Sequence, residues 1–111
     1  MSEPSTPVAD FEVTAQVSDG TAVVAISGEV DVYTAPQLRD CLRRIDADDA
    51  DRVVLDLSAM TFIDSTGLGV IVGAVKRLRE KGGTLTLRAP SKSTRKVLDI
   101  TGLAQIIDIE D

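Results

Sequence analysis

The sequence predicts an α/β fold, a single mixed β-sheet with α-helices packed against it. Three observations carry that expectation. A glycine turn joins two strand-like runs near the start, which makes a hairpin. From there, strand-like runs alternate with runs of helical period, an order that favours parallel neighbours joined by crossovers. Hydrophobic residues make up 43% of the 111 residues and aromatics 3%, so one domain with a core of Val, Ile, Leu and Ala is expected.

The elements follow in order. Residues 1–10, "MSEPSTPVAD", are polar and contain two prolines, and are expected to form a flexible tail ahead of a domain spanning 11–111. "FEVTAQV" (11–17) places Phe11, Val13, Ala15 and Val17 on one face, the period of a half-buried strand. "SDGT" (18–21) is a turn in which Gly20 takes the unusual dihedral. "AVVAI" (22–26) is apolar throughout and reads as a central strand. "SGEVDVYT" (27–34) reads as a loop carrying Glu29 and Asp31, with Thr34 as N-cap of the first helix. Pro36 suits the first helical turn, where no N–H is needed. Leu38, Cys41, Leu42 and Ile45 then mark one helical face. The acidic "DADDAD" (46–51) ends that helix.

"RVVLDLS" (52–58) reads as a strand, and "TFIDSTGLGV" (61–70) joins it to a second helix. Leu68, Ile71, Val72, Val75 and Leu78 share one side of that helix, and Gly82 and Gly83 stop it. "TLTLRA" (84–89) is a strand broken by Pro90. Ser91 or Ser93 caps a third helix bearing Val97, Leu98 and Ile100, which ends near Gly102. "AQIIDI" (104–109) is a final strand or extended segment.

Several function classes start weak. The net charge is −6, where nucleic-acid binders are normally basic. No apolar run reaches the ~18 residues of a membrane span, and the start lacks the pattern of a signal peptide. A cytoplasmic protein acting away from membranes is therefore expected. The chain has no His, which excludes His-based triads and His metal sites. Its single Cys41 falls on an apolar helix face and reads as a core residue. Neither a cofactor nor a metal is expected.

The 61–70 stretch admits four readings. The plainest is a helix N-cap, with Asp64 or Ser65 accepting from a free N–H of the first turn. As a nucleophile, Ser65 lacks a base, because Lys76 lies about three turns along the helix and points outward. As a nucleotide cradle, Gly67, Gly69 and Gly73 approach a dinucleotide fingerprint, but they follow the wrong strand of too small a domain. As a phosphorylation site, a hydroxyl at a helix N-terminus sits where backbone N–H groups and the helix dipole accept an anion. Gly69, Gly73, Lys76, Arg77 and Glu80 form the outer face of the same helix. The two glycines there leave a flat patch, open either to internal packing or to close approach of a partner.

"DSTGLGV" (64–70) after a Val/Leu strand resembles the signature of the anti-sigma factor antagonists, bacterial STAS-domain proteins. "SGEVDVYTAPQLR" (27–39) and "ITGLAQIIDI" (100–109) match at the expected spacing, so the resemblance spans residues 10–110. It implies a single STAS-like domain that is not an enzyme. Unphosphorylated, such a protein binds an anti-sigma factor with serine kinase activity and frees a sigma factor. The kinase then phosphorylates a serine of the antagonist, which lets go, and a serine phosphatase resets it. Carried over, the phosphoacceptor is Ser65. The partner-binding residues are Asp31, Asp64, Ser65, Thr66, Gly67, Gly69 and Gly73. A scaffold or transporter-associated module, or a small nucleotide-binding protein, are the alternatives.

Overall fold

Asp19 and Gly20 both take positive φ, 51° and 79°, and so build the two-residue turn whose twist suits a hairpin. The computed structural model describes residues 11–46 and 50–111; the expected tail (1–10) and part of the acidic linker (47–49) lie outside the described residues. The turn joins β1 (Glu12–Ser18) to β2 (Thr21–Val30) in an antiparallel pair. Next come α1 (Ala35–Asp46), β3 (Arg52–Ile63), α2 (Ser65–Glu80), β4 (Thr84–Arg88), α3 (Lys92–Ile100), a short 3-10 turn (Leu103–Gln105) and β5 (Asp108–Glu110). Among the described residues the strands lie in the order β1-β2-β3-β4-β5, with every pair after the first parallel. The expected mixed sheet with packed helices is the fold.

One face of the sheet carries Ala22, Val24 and Ile26 of β2, Val53, Leu55 and Leu57 of β3, and Leu85 and Leu87 of β4. These join Leu38, Cys41, Leu42 and Ile45 of α1 in one buried cluster. Ile71, Ala74, Val75 and Leu78 of α2 and Leu98 of α3 complete it. The alternation of the strands and the i, i+3, i+4 spacing of the helices thus meet in a single core.

The run 22–26 lies in an interior strand, as expected, with Ala25 exposed and Val23 half-buried. Three expectations change. The segment 27–30 belongs to β2 rather than to a loop, and β3 runs on to Ile63. Register shifts between Ala25 and Ser27 and between Gly28 and Glu29 break the alternation there, which hides these strand ends from a period-of-two reading. Thr34 stands at the N-cap position of α1, its carbonyl accepting from the Leu38 amide at 3.4 Å, but its hydroxyl turns to the preceding loop, donating to the Glu29 carbonyl at 2.8 Å and accepting from the Asp31 amide at 2.9 Å. On α3 only Leu98 of the expected apolar face is buried, while Val97 is half-buried and Ile100 exposed.

Candidate functional site

The parallel strands β2 and β3 end side by side, with Val30 opposite Ile63. Both side chains are buried. Each is followed by an aspartate, Asp31 after Val30 and Asp64 after Ile63. The Asp64 amide donates to the Val30 carbonyl at 3.0 Å, which ties the two loop starts together. Asp31 and Asp64 therefore stand together at the carboxyl end of the sheet, where α/β folds commonly carry function.

Asp64 is the N-cap of α2: its backbone is extended and its carboxylate accepts from the Gly67 amide at 3.0 Å. Of the two capping candidates, Asp64 is the one used, which leaves Ser65 as the first helical residue. Ser65 and Thr66 are both exposed. Their hydroxyls sit in the first turn of a 16-residue helix, where unpaired N–H groups favour an anion.

The glycines divide into two kinds. Gly67 is buried, and a Cβ there would lie 2.6 Å from Val30 Cγ1 and 2.7 Å from Ile63 Cγ1. It lets α2 start tight against the strand ends and offers no surface of its own to a partner. Gly69 is different, for a Cβ added to it meets nothing within 4 Å. At Gly73 it would reach only the Arg77 guanidinium, at 3.6 Å. Neither of these two is required for packing inside the domain, so the flat patch is open.

Asp31 is half-buried, and its carboxylate Oδ1 accepts from the amides of Tyr33 at 2.9 Å and Thr34 at 3.0 Å. This acid shapes its own loop, and the loop in turn holds Val32 and Tyr33 outward. Tyr33 is 85% exposed. Phe62, paired with Glu29 just before the end of β3, is 49% exposed. It lines a shallow cavity of about 190 Å³ together with Thr61, Ile63, Ser93, Thr94 and Val97. The chain has only three aromatic residues, and two of them, Tyr33 and Phe62, stand exposed near the paired ends of β2 and β3. Sequence reasoning did not single out Val32, Tyr33 or Phe62; the signal available was that two aromatics of an aromatic-poor chain fall just past the end of β2 and just ahead of the 64–70 motif.

Among the described residues no group of His, Cys, Asp and Glu could hold a metal. Cys41 is buried in the core, where desolvation raises its pKa against the partly opposing influence of Arg44. Among the described residues no helix is long and apolar enough to cross a membrane.

The fold and site together are a capped helix start with an exposed hydroxyl, set beside a second loop at the end of a mixed sheet. The chain belongs to the STAS domain family, whose model matches residues 12–111. It is 40% identical over 100 residues to an anti-sigma-B factor antagonist of Bacillus subtilis, covering 90% of this chain and 91% of the relative. A protein of the same description from Listeria monocytogenes is 38% identical over 88 residues, or 79% of this chain and 77% of the relative. Among solved structures, an anti-sigma factor antagonist from Mycobacterium paratuberculosis superposes with a TM-score of 0.83 at 31% identity. That match covers 96% of this chain and 90% of the other.

Proposed function

We propose that this chain is an anti-sigma factor antagonist switched by phosphorylation of Ser65. In its unphosphorylated form it binds an anti-sigma factor that is also a serine kinase, and a sigma factor is released. Phosphorylation ends the binding, and a serine phosphatase restores it. The observation that carries this reading is the exposed Ser65 hydroxyl on the first residue of α2, flanked by the Asp64 cap and by the open surface of Gly69 and Gly73.

The physics of the switch is a comparison of two terms. A phosphoserine brings close to two negative charges to the helix start. The dipole and free N–H groups of α2 return about 0.3–1 kcal/mol, so the isolated domain accommodates the group. Under a partner the same dianion is desolvated next to Asp64. At about 6 Å and an effective dielectric of about 20, each unit charge pair costs roughly 3 kcal/mol. Repulsion outweighs the dipole, and the complex separates while the fold persists.

The partner surface in this reading centres on Asp64, Ser65 and Thr66. It extends along α2 over Gly69 and Gly73 and across to the Asp31 loop. Gly67 supports it from beneath. The exposed Tyr33 and Phe62 add the aromatic area that such interfaces favour.

The test is a pull-down from the native cell with the wild type and with Ser65→Ala, followed by mass spectrometry of partners and modification sites. An anti-sigma factor retained by both, with phosphate on Ser65 of the wild type alone, is the expected result. Recovery of no anti-sigma factor, or phosphate placed elsewhere, overturns the reading.

A further inference from the structure

We infer that the outer edge of β1 is a self-pairing surface, on which a second copy of this chain docks antiparallel and joins the two sheets into one. The inference stands apart from the Ser65 switch and rests on the two sheet edges. At one end, β5 is a strand of three residues. It carries Asp108 and Glu110, with Glu110 held by Arg88 at 2.8 Å and the adjoining Asp111 by Arg95 at 2.9 Å. A short, charged edge of this kind resists pairing. Among the described residues the opposite edge has none of these devices. β1 is seven residues long, pairs with β2 without a register shift, and has Glu12 as its one charge. It contains no Pro and no Lys.

The backbone of β1 defines which groups face outward. Ser18 and Thr21 close the two-residue hairpin, and a closing pair exchanges both of its bonds. The bonding groups of Ser18, Gln16, Thr14 and Glu12 are therefore turned toward β2. Those of Val13, Ala15 and Val17 are turned to the open edge. The same three residues align with Ile26, Val24 and Ala22, so their side chains lie on the core side of the sheet. Only Val13 of the three is half-buried; Ala15 is exposed, and Val17 remains 46% exposed. Among the described residues, an alternation written for burial is left largely uncovered at Ala15 and Val17.

A two-fold axis through Ala15 resolves both mismatches. It sets Ala15 against its own copy, Val13 against Val17 of the second copy, and Thr14 against Gln16. Every outward-facing residue then meets another outward-facing residue, so three bonded pairs form. Val packs on Val, and Glu12 meets Ser18 rather than another acid. Such an interface is isologous and closes as a dimer, with no free edge left on β1.

The test is sedimentation equilibrium of the full chain up to about 1 mM, with a thermal melt of each variant as a folding control. The wild type should show a monomer–dimer equilibrium. Ala15→Lys places two lysines opposite each other on the axis at an exposed position; it should melt like the wild type and weaken dimerisation at least about tenfold. Directly opposed bonded residues have Cα atoms about 5.5 Å apart, within disulfide reach. Ala15→Cys should therefore give a covalent dimer on mild oxidation. Gln16→Cys, two residues out of register with its copy and so more than about 7 Å away, should not. The buried Cys41 makes the wild type the control. A wild type monomeric throughout, a dimer untouched by Ala15→Lys, or equal cross-linking of the two cysteine variants overturns the inference.

Discussion

The Asp64 amide donates to the Val30 carbonyl at 3.0 Å, immediately beyond the last pair of β2 and β3. This bond fixes where α2 begins relative to the Asp31 loop. It also leaves the Asp64 side chain free to turn back and cap the Gly67 amide.

Asp64→Ala removes that cap. Chemical denaturation should show a loss of about 1 kcal/mol, the usual cost of an N-cap carboxylate. A loss several times larger would mean that the side chain holds the two loops together as well as the helix.

Ser65 should be the modified hydroxyl. It and Thr66 are both exposed, but Ser65 is the first helical residue and lies beside the cap. Incubation with the cognate kinase should phosphorylate wild type and Thr66→Ala but not Ser65→Ala. Phosphopeptide mapping that places the group on Thr66 alone contradicts this assignment.

Ser65→Asp should separate folding from binding. The helix start tolerates an anion, so the melting temperature should stay within a few degrees of wild type. Affinity for the anti-sigma partner should fall by at least ~2 kcal/mol, about 30-fold, measured by calorimetry. A variant that unfolds, or one that still binds tightly, defeats the proposed switch.

The glycines of α2 should respond in opposite ways. Gly67→Ala drives a methyl into Val30 and Ile63 and should cost ~1–3 kcal/mol in denaturant unfolding. Gly73→Leu enters open space beside Arg77 and should hold or raise stability, because a glycine inside a helix costs about 1 kcal/mol. If the partner approaches closely along α2, Gly73→Leu should still weaken binding. Retained stability with retained binding would move the interface toward Tyr33 and Phe62.

Cys41 should behave as an inert core thiol. Burial raises its pKa above the ordinary thiol value, so the reactive thiolate is depleted at neutral and mildly alkaline pH. Iodoacetamide at pH 8 should label it slowly in the native protein and rapidly once denaturant is added. The raised pKa carries a sign for stability as well. Because the unfolded chain ionises first, folding loses stability as pH rises above the unfolded thiol pKa.

What the sequence determined by itself was everything carried by a repeating period or a local motif. The helical faces of α1 and α2, the Asp19–Gly20 hairpin, the parallel crossovers and the hydroxyl at the start of α2 are of this kind. Each depends on neighbours close in the chain, and each is found in the fold. Tertiary structure decided whatever depends on what lies across a gap. The continuation of β2 through Gly28 and of β3 to Ile63 rests on pairing between strands whose alternation is broken by register shifts. The difference between Gly67 and Gly69, two residues apart in one motif, rests on Val30 and Ile63 standing above the first and nothing standing above the second. The side chains of Asp31 and Thr34 likewise bond within their own loop, because the end of β2 delivers the Glu29 carbonyl to the Thr34 hydroxyl. A period reports which face of an element is apolar; only the packed neighbours determine whether that face is covered, and this separates the buried Val24 from the exposed Val17.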